Sequence, residues 1–150
     1  MDAVWQELKS VHSSGKLDFY MSLNPIFCLQ PYITDIKCFK LRQAITKIRI
    51  SAHKFPIETG RYDKKERFQR ICPLCCYDIG DETHYIISCE DSCMKKAREP
   101  FLEKFMNPFF NSLSDHEKCI SILSLNSPTL FVNSGTMCLK ILESFKEFAL

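Results

Sequence analysis

No apolar run in these 150 residues approaches the ~18 that a membrane-crossing helix needs. The opening stretch, MDAVWQELKSVHSS, lacks a basic start followed by an apolar block, so neither a secretory signal nor a membrane partner is expected. There is no internal repeat and no low-complexity tract. A composition of 45% hydrophobic and 25% charged residues is that of a globular chain, not a disordered one. Catalytic signatures are missing as well: no Ser nucleophile elbow, no Gly-rich phosphate loop, no HExxH. The length fits one domain able to bury a core.

Cysteine is abundant. Nine cysteines without a secretory signal point to a reducing compartment, nucleus or cytoplasm, and to metal ligation rather than disulfides. Five of them fall in Arg70 to Cys93, RICPLCCYDIGDETHYIISCEDSC. Cys72 and Cys75 form a C-x2-C pair, His84 follows, and Cys89 closes a C-x2-C-x8-H-x4-C array. That spacing suits a tetrahedral zinc ion: one tight turn aims two thiolates at a point, and a second element returns an imidazole and a third thiolate. Pro73 helps the turn fold back. Gly80, Asp78 and Asp81 are turn and cap residues, and Asp81 is expected to cap a short helix over 82–87 that carries His84 inward. Ile86 and Ile87 would pack that helix down. Cys76 and Cys93 leave the ligand list open, and a site of Cys72, Cys75, Cys89 and Cys93 is the alternative; His84 is preferred because a histidine in the first turn of a capped helix has little other role. Cys28, Cys38, Cys119 and Cys138 read as core thiols.

Net charge is only +2 but unevenly placed. Residues 40–70 hold ten Lys or Arg against three acidic residues, a surplus of seven, whereas 71–100 hold three basic against six acidic. The basic arm is where an anionic partner, RNA or DNA, is expected to land, through Lys47, Arg49, Lys54, Arg61, Lys64, Lys65, Arg67 and Arg70. Phe55, Tyr62, Phe68 and Tyr77 are available to stack on unpaired bases. The alternative is a zinc-stabilised scaffold that docks a protein through Phe105, Phe109, Phe110 and Phe131. A metal fully ligated by protein is structural rather than catalytic, and the chain is expected not to be an enzyme. His53, beside Lys54 and Glu58, reads as a hydrogen-bonded structural histidine rather than an acid/base group. His12 and His116 read as surface residues, and Asp78, Asp81 and Glu82 as caps and turns rather than a nuclease site.

The expected fold is mainly α: a small helical domain around a central irregular CCHC zinc knuckle. It divides into N-terminal helices and the basic arm (1–69), the knuckle (70–93) and C-terminal helices (94–150). Apolar spacing marks a helix over 1–12 (Val4, Trp5, Leu8, Val11), a break at Ser13-Ser14-Gly15, and a second short helix over 16–24. A connector over 25–31 should pack Ile26, Phe27 and Leu29. A longer helix is expected over 35–51, capped by Thr34, kinked near Lys40, with Ile36, Phe39, Leu41, Ile45 and Ile48 as its stripe. Residues 53–63 read as an ordered loop. After the knuckle, 91–104 is helical in pattern, with Pro100 starting a new segment. Ser114 and Glu117 make a capping box for a helix to about Leu125, stopped by Asn126-Ser127-Pro128. A last helix over 136–148 should bury Met137, Leu139, Ile141, Leu142, Phe145 and Phe148.

The string LRQAITKIRISAHKFPIETGRYDKKERFQRICPLCCYDIGDETHYIISC resembles the cysteine-rich segment beyond the reverse-transcriptase domain in metazoan non-LTR (LINE-type) retrotransposon polyproteins. The shared pattern is an Arg-containing helix (Arg49), an H-x-x-x-I-E-x-G-R-Y loop (His53, Ile57, Glu58, Gly60, Arg61, Tyr62), R-x-C-P-x-C (Arg70, Cys72, Pro73, Cys75), D-E-x-H (Asp81, Glu82, His84) and a closing Cys89. Leu17, Tyr20, Phe27 and Tyr32 look like the lead-in, and the match spans residues 16–98. The resemblance implies a zinc-bound module that accompanies template RNA or target DNA during target-primed reverse transcription, with a reverse-transcriptase domain or another protein as a further partner. Cys76 departs from the pattern. Tyr77-Asp78 is not followed by the second aspartate of a polymerase carboxylate pair, so polymerase activity does not carry over. The chain then reads as a fragment, a decayed copy or a stand-alone domesticated piece.

Overall fold

The computed structural model describes residues 18–24, 28–124 and 128–148. The expected helix over 1–12, its break at 13–15, the start of the second helix, Ile26 and Phe27 of the connector, the stop at Asn126-Ser127 and the side chain of Phe148 lie outside the described residues. Helices dominate: α1 (Asp18–Leu23), α2 (Tyr32–Asp35), α3 (Phe39–Arg49), α4 (Pro56–Tyr62), α5 (Ser92–Leu102), α6 (Pro108–Ser112), α7 (Asp115–Leu123) and α8 (Phe131–Phe148), with 3-10 turns at Arg67–Gln69 and Pro128–Leu130 and a π turn at His84–Ser88. Among the described residues there is no strand, only an isolated antiparallel bridge between Ile71 and Ile79. No described helix is long and apolar enough to cross a membrane.

Helix α8 packs against both α3 and α5. Its buried positions, Phe131, Ser134, Met137, Cys138, Ile141 and Phe145, recur every three or four residues and make one stripe. Burying the Ile141 or Phe145 side chain contributes about 1.5–3 kcal/mol. The helix starts before Thr136, the expected first residue, because Gly135 is not a breaker. A Cβ there would lie 3.0 Å from Leu41 Cβ and 3.2 Å from Ile45 Cδ1, so hydrogen is what lets α8 close on α3. Leu139 and Leu142 are half-buried against the same core.

The expected helix over 35–51 is two pieces. Ile36 is extended (φ −79°, ψ 110°), and the Arg42 guanidinium takes its carbonyl at 2.6 Å, so the chain breaks there and restarts at Phe39. Phe39 is 65% exposed and leaves the stripe. Helix α3 ends in a Schellman motif: Ala52 N–H donates to Lys47 O, Ser51 N–H donates to Ile48 O, and Ser51 takes φ 52°. The expected loop over 53–63 contains a helix, α4, because Pro56 stands at its first turn, where no N–H is required. A second Schellman motif with Lys64 at φ 55° ends it. Pro100 lies inside α5 rather than starting a segment; it sits in the last turn, where its missing N–H removes a single bond. Asp91 accepts from Cys93 and Met94 N–H to start α5, and Ser114 with Glu117 forms the capping box of α7, which ends at Leu123. Of the four scattered cysteines, Cys119 and Cys138 are buried as expected, whereas Cys28 and Cys38 are exposed.

Candidate metal centre

Residues 70–80 fold back on themselves. Cys72 N–H donates to Asp78 O at 2.8 Å, Gly80 N–H to Arg70 O at 2.9 Å, and Cys76 N–H closes the inner turn on Cys72 O at 2.9 Å. Cys76 takes φ 57°, the left-handed region that an L side chain enters at a cost of about 1–2 kcal/mol. The reversal puts Cys72 and Cys75 side by side. The chain then passes Gly80, where a Cβ would meet Pro56 and the Tyr85 hydroxyl at 2.8 Å, and Asp81 Oδ1 accepts His84 N–H at 2.9 Å to start the next helical stretch.

That stretch is a π turn, and the π turn accounts for the H-x4-C spacing. In an α-helix residues five apart point ~140° away from each other. The Cys89 N–H instead bonds His84 O at 2.7 Å, a five-residue closure that brings both side chains to one side. The buried Tyr85 and Ile86 and half-buried Ile87 hold it against the core. The Tyr85 ring packs tilted against Phe55 (4.4 Å between ring centroids) and edge-on to Phe145 (5.3 Å), which ties the turn to α8.

The donor atoms of Cys72, Cys75, His84 and Cys89 lie within 4.8 Å of one another, a group that can hold a metal ion. Cys72 Sγ is 4.0 Å from Cys89 Sγ, and Cys75 Sγ is 3.3 Å from His84 Nε2. Tetrahedral bonds of ~2.3 Å to sulfur and ~2.05 Å to nitrogen would set these separations at ~3.8 and ~3.6 Å, so these two pairs match to a few tenths of an ångström. A disulfide needs ~2.05 Å, so these are thiols. Cys76 and Cys93 stand outside the group: Cys76 Sγ turns to Pro73 O at 3.6 Å, and Cys93 is exposed on α5.

The electrostatics separate the thiols. Burial opposes ionisation of Cys75, but the N–H groups of Tyr77 and Asp78 aimed at its sulfur, together with hydrogen bonds from Cys72 and Cys89, outweigh it and bring its pKa down. Burial pushes Cys89 up to about 12, with neighbouring Cys72 and Cys75 adding to the rise. Burial also lowers the His84 pKa, against the pull of Asp78 and Asp81, which favours the neutral ring that can offer Nε2 as a ligand. Its Nδ1 faces Ser88 Oγ at 3.4 Å and the Asp78 carboxylate at 4.0 Å. A hollow of about 320 Å³ lined by Tyr77, Asp78, Ser88 and Glu90 reaches Cys75 and His84 from solvent.

The basic residues divide. Residues 61–69 are all exposed, and this run carries Arg61, Lys64, Lys65 and Arg67 together with Tyr62 (77% exposed) and Phe68 (70%). Lys54 is exposed, Lys47 half-buried. Arg61 reaches Glu58 at 3.3 Å and Arg67 reaches Asp81 at 3.0 Å, both from open positions. Arg70 is spent on structure, its guanidinium donating to Ile57 O and Lys65 O. Arg49 corrects the expectation outright. It is completely buried and donates to Leu123 O, to Asn24 Oδ1 at 2.6 Å and to Gln30 Oε1 at 2.7 Å, so it offers nothing to a phosphate. Of the stacking candidates Phe55 is core, while Tyr77 is 92% exposed. Of the docking phenylalanines Phe105, Phe110 and Phe131 are core, leaving Phe109 at the surface.

His53 is structural. Phe55 N–H donates to its Nδ1, so the proton sits on Nε2 and is donated to Glu82 Oε1 at 2.9 Å, where Ser51 Oγ also donates at 2.6 Å. Its partner is thus Glu82, not Lys54 or Glu58. His116 is exposed, and His12 lies outside the described residues. Two side chains at the cluster have no ligand-like spacing in the sequence: Tyr85 and Arg98. For Arg98 a signal exists, since Met94, Ala97 and Arg98 are all buried at helical spacing and place an arginine in an apolar stripe. The chain matches no family model, no curated protein and no solved structure, so the functional reading rests on the site itself.

Proposed function

We propose that this chain is a zinc-stabilised nucleic-acid-binding module of the type that follows the reverse-transcriptase domain in non-LTR retrotransposon polyproteins, with no catalysis of its own. The observation that carries the reading is a Cys3His cage built into the hairpin that begins where the exposed basic run 61–69 ends. Three thiolates and an imidazole in tetrahedral array favour zinc over hard cations, which take oxygen ligands. Cys72, Cys75, His84 and Cys89 would hold the ion as a CCHC knuckle, and four protein donors leave no position for a substrate. Anchoring the hairpin fixes the run before it. Lys54, Arg61, Lys64, Lys65 and Arg67 then face a phosphate backbone, with Tyr62, Phe68 and Tyr77 as platforms for unpaired bases.

The test is a salt titration of binding to single-stranded RNA by the zinc-loaded chain. Five contacts at ~0.7 per phosphate give a slope of log K against log salt of about −3 to −4. The triple variant Arg61→Glu, Lys65→Glu, Arg67→Glu should abolish most of the binding. A wild type without salt-dependent binding to RNA or DNA rejects the nucleic-acid reading and leaves a protein-docking scaffold, with exposed Phe109 at its surface.

A further inference from the structure

Buried polar atoms without partners are few in folded proteins and each calls for a reason. Among the described residues three side-chain atoms are buried and unpaired: Arg49 Nε, Tyr85 Oη and Arg98 Nη1. Two of the three belong to residues set against the Cys3His cage. Tyr85 follows His84 in the π turn, its ring 5.2 Å from the imidazole, and its hydroxyl stands beside Cys72. Arg98 is 4% exposed on α5, which packs on the π turn that Cys89 closes.

From this we infer that Tyr85 and Arg98 are the outer shell of the metal centre, the phenol donating to Cys72 Sγ and the guanidinium compensating the charge at Cys89 once the thiolates hold a divalent ion. The inference rests on the metal reading above. A divalent ion held by three thiolates and a neutral imidazole keeps one net negative charge, which must be met in a buried place where water does not reach. The exposed side of the cage has its own compensation, the Tyr77 and Asp78 N–H groups at Cys75. The buried sulfurs, Cys72 and Cys89, are the two that face the unpaired donors. A phenol carries its proton at neutral pH and is therefore a donor. The orphaned atoms are thus matched in kind to a charge that appears only with the ion, and metal ligands depend on such outer partners for affinity.

The test compares wild type with Tyr85→Phe, Arg98→Met and Arg98→Lys in the full chain. Zinc affinity is measured by competition with a chromophoric chelator, cobalt(II) spectra are recorded, and thermal unfolding is followed with and without metal. Removing either donor should weaken zinc binding about 10- to 100-fold and move the thiolate-to-cobalt charge-transfer band to longer wavelength, because fewer donors stabilise the sulfur lone pairs. Without metal, Tyr85→Phe should be no less stable than wild type, since its hydroxyl has no partner there. Should Arg98→Met fail to fold even with metal, Tyr85→Phe carries the test by the same criteria, and Arg98→Lys, which keeps the charge, should bind zinc more tightly than Arg98→Met. Tyr85→Phe and Arg98→Met variants that bind zinc as tightly as wild type, with an unmoved band, overturn the outer shell and leave the cage standing. A wild type that binds neither ion overturns the cage and the outer shell together.

Discussion

Arg49 was expected at a phosphate and lies in the core, and the difference can be measured. Consider Arg49→Met, which keeps an unbranched apolar stem but loses the guanidinium. Three acceptors lose their donor: Leu123 O at the end of α7, Asn24 Oδ1 just after α1, and Gln30 Oε1. Each buried unpaired acceptor costs about 1–3 kcal/mol, less for half-buried Gln30, which water can reach. Against this, the variant removes a buried cation whose pKa burial already pushes down and whose Nε is unpaired. The balance is a loss of about 2–4 kcal/mol, read as a fall in the urea midpoint of the zinc-loaded chain. Arg49→Lys should lose nearly as much, because one ammonium cannot reach acceptors from three segments. In the same preparations the slope of log K against log salt for RNA should stay at the wild-type value, whereas Lys64→Ala or Arg67→Ala should lower it by about 0.7 each. A stable Arg49→Met whose salt slope falls like that of Arg67→Ala would falsify the assignment of Arg49 to the core.

Three further outcomes follow from the geometry. Cys76→Gly should retain the metal and stabilise the loaded chain by about 1 kcal/mol, because glycine takes the φ of 57° without strain; loss of metal in that variant would place Cys76 among the ligands. Gly135→Val should cost about 1–3 kcal/mol by forcing α8 away from Leu41 and Ile45, and an unchanged melting temperature would show that the two helices do not meet there. At Glu82 burial disfavours the charge, but the bonds from His53 and Ser51 outweigh it, and the carboxylate titrates below its ordinary value of 4.5. Its contribution is therefore present above pH 4.5 and is lost as pH falls through the lower folded value. Unfolding curves of wild type and Glu82→Gln between about pH 3 and 6 should converge toward acid; curves that stay parallel would mean that Glu82 is not held ionised.

Much of the site was legible because a group of side chains able to hold a metal leaves its trace in spacing. The C-x2-C pair, the Asp81 cap and the preference for His84 over Cys93 all follow from local chemistry that a short peptide must satisfy. The π turn was not legible: an H-x4-C interval fits a helix followed by a bend equally well, and only the Cys89 to His84 closure decides between them. Among the helices, the capping box of Ser114 and Glu117 reads directly from sequence. The failures share a cause, tertiary contact overriding a local rule. The last helix reads as starting at Thr136 and starts at Phe131, with Gly135 a contact point inside it, Pro100 looks like a start and sits in a last turn, and Phe39 looks like core and faces solvent. Arg49 and Arg98 show the same override in the charged residues. Each stands four residues after a buried apolar residue of its stripe, Arg49 after Ile45 and Arg98 after Met94, and counting that position as apolar would have flagged both as buried guanidiniums rather than surface charge.

The central claim is that Cys72, Cys75, His84 and Cys89 gather round one ion. X-ray absorption at the zinc edge of the purified chain, with metal content determined on the same sample, tests it most directly. The expected result is one zinc per chain bound by three sulfurs at about 2.3 Å and one nitrogen at about 2.0 Å, shifting to loss of the metal in His84→Ala and no change in Cys93→Ser. A chain without metal, or a shell of four sulfurs that persists in His84→Ala, contradicts it.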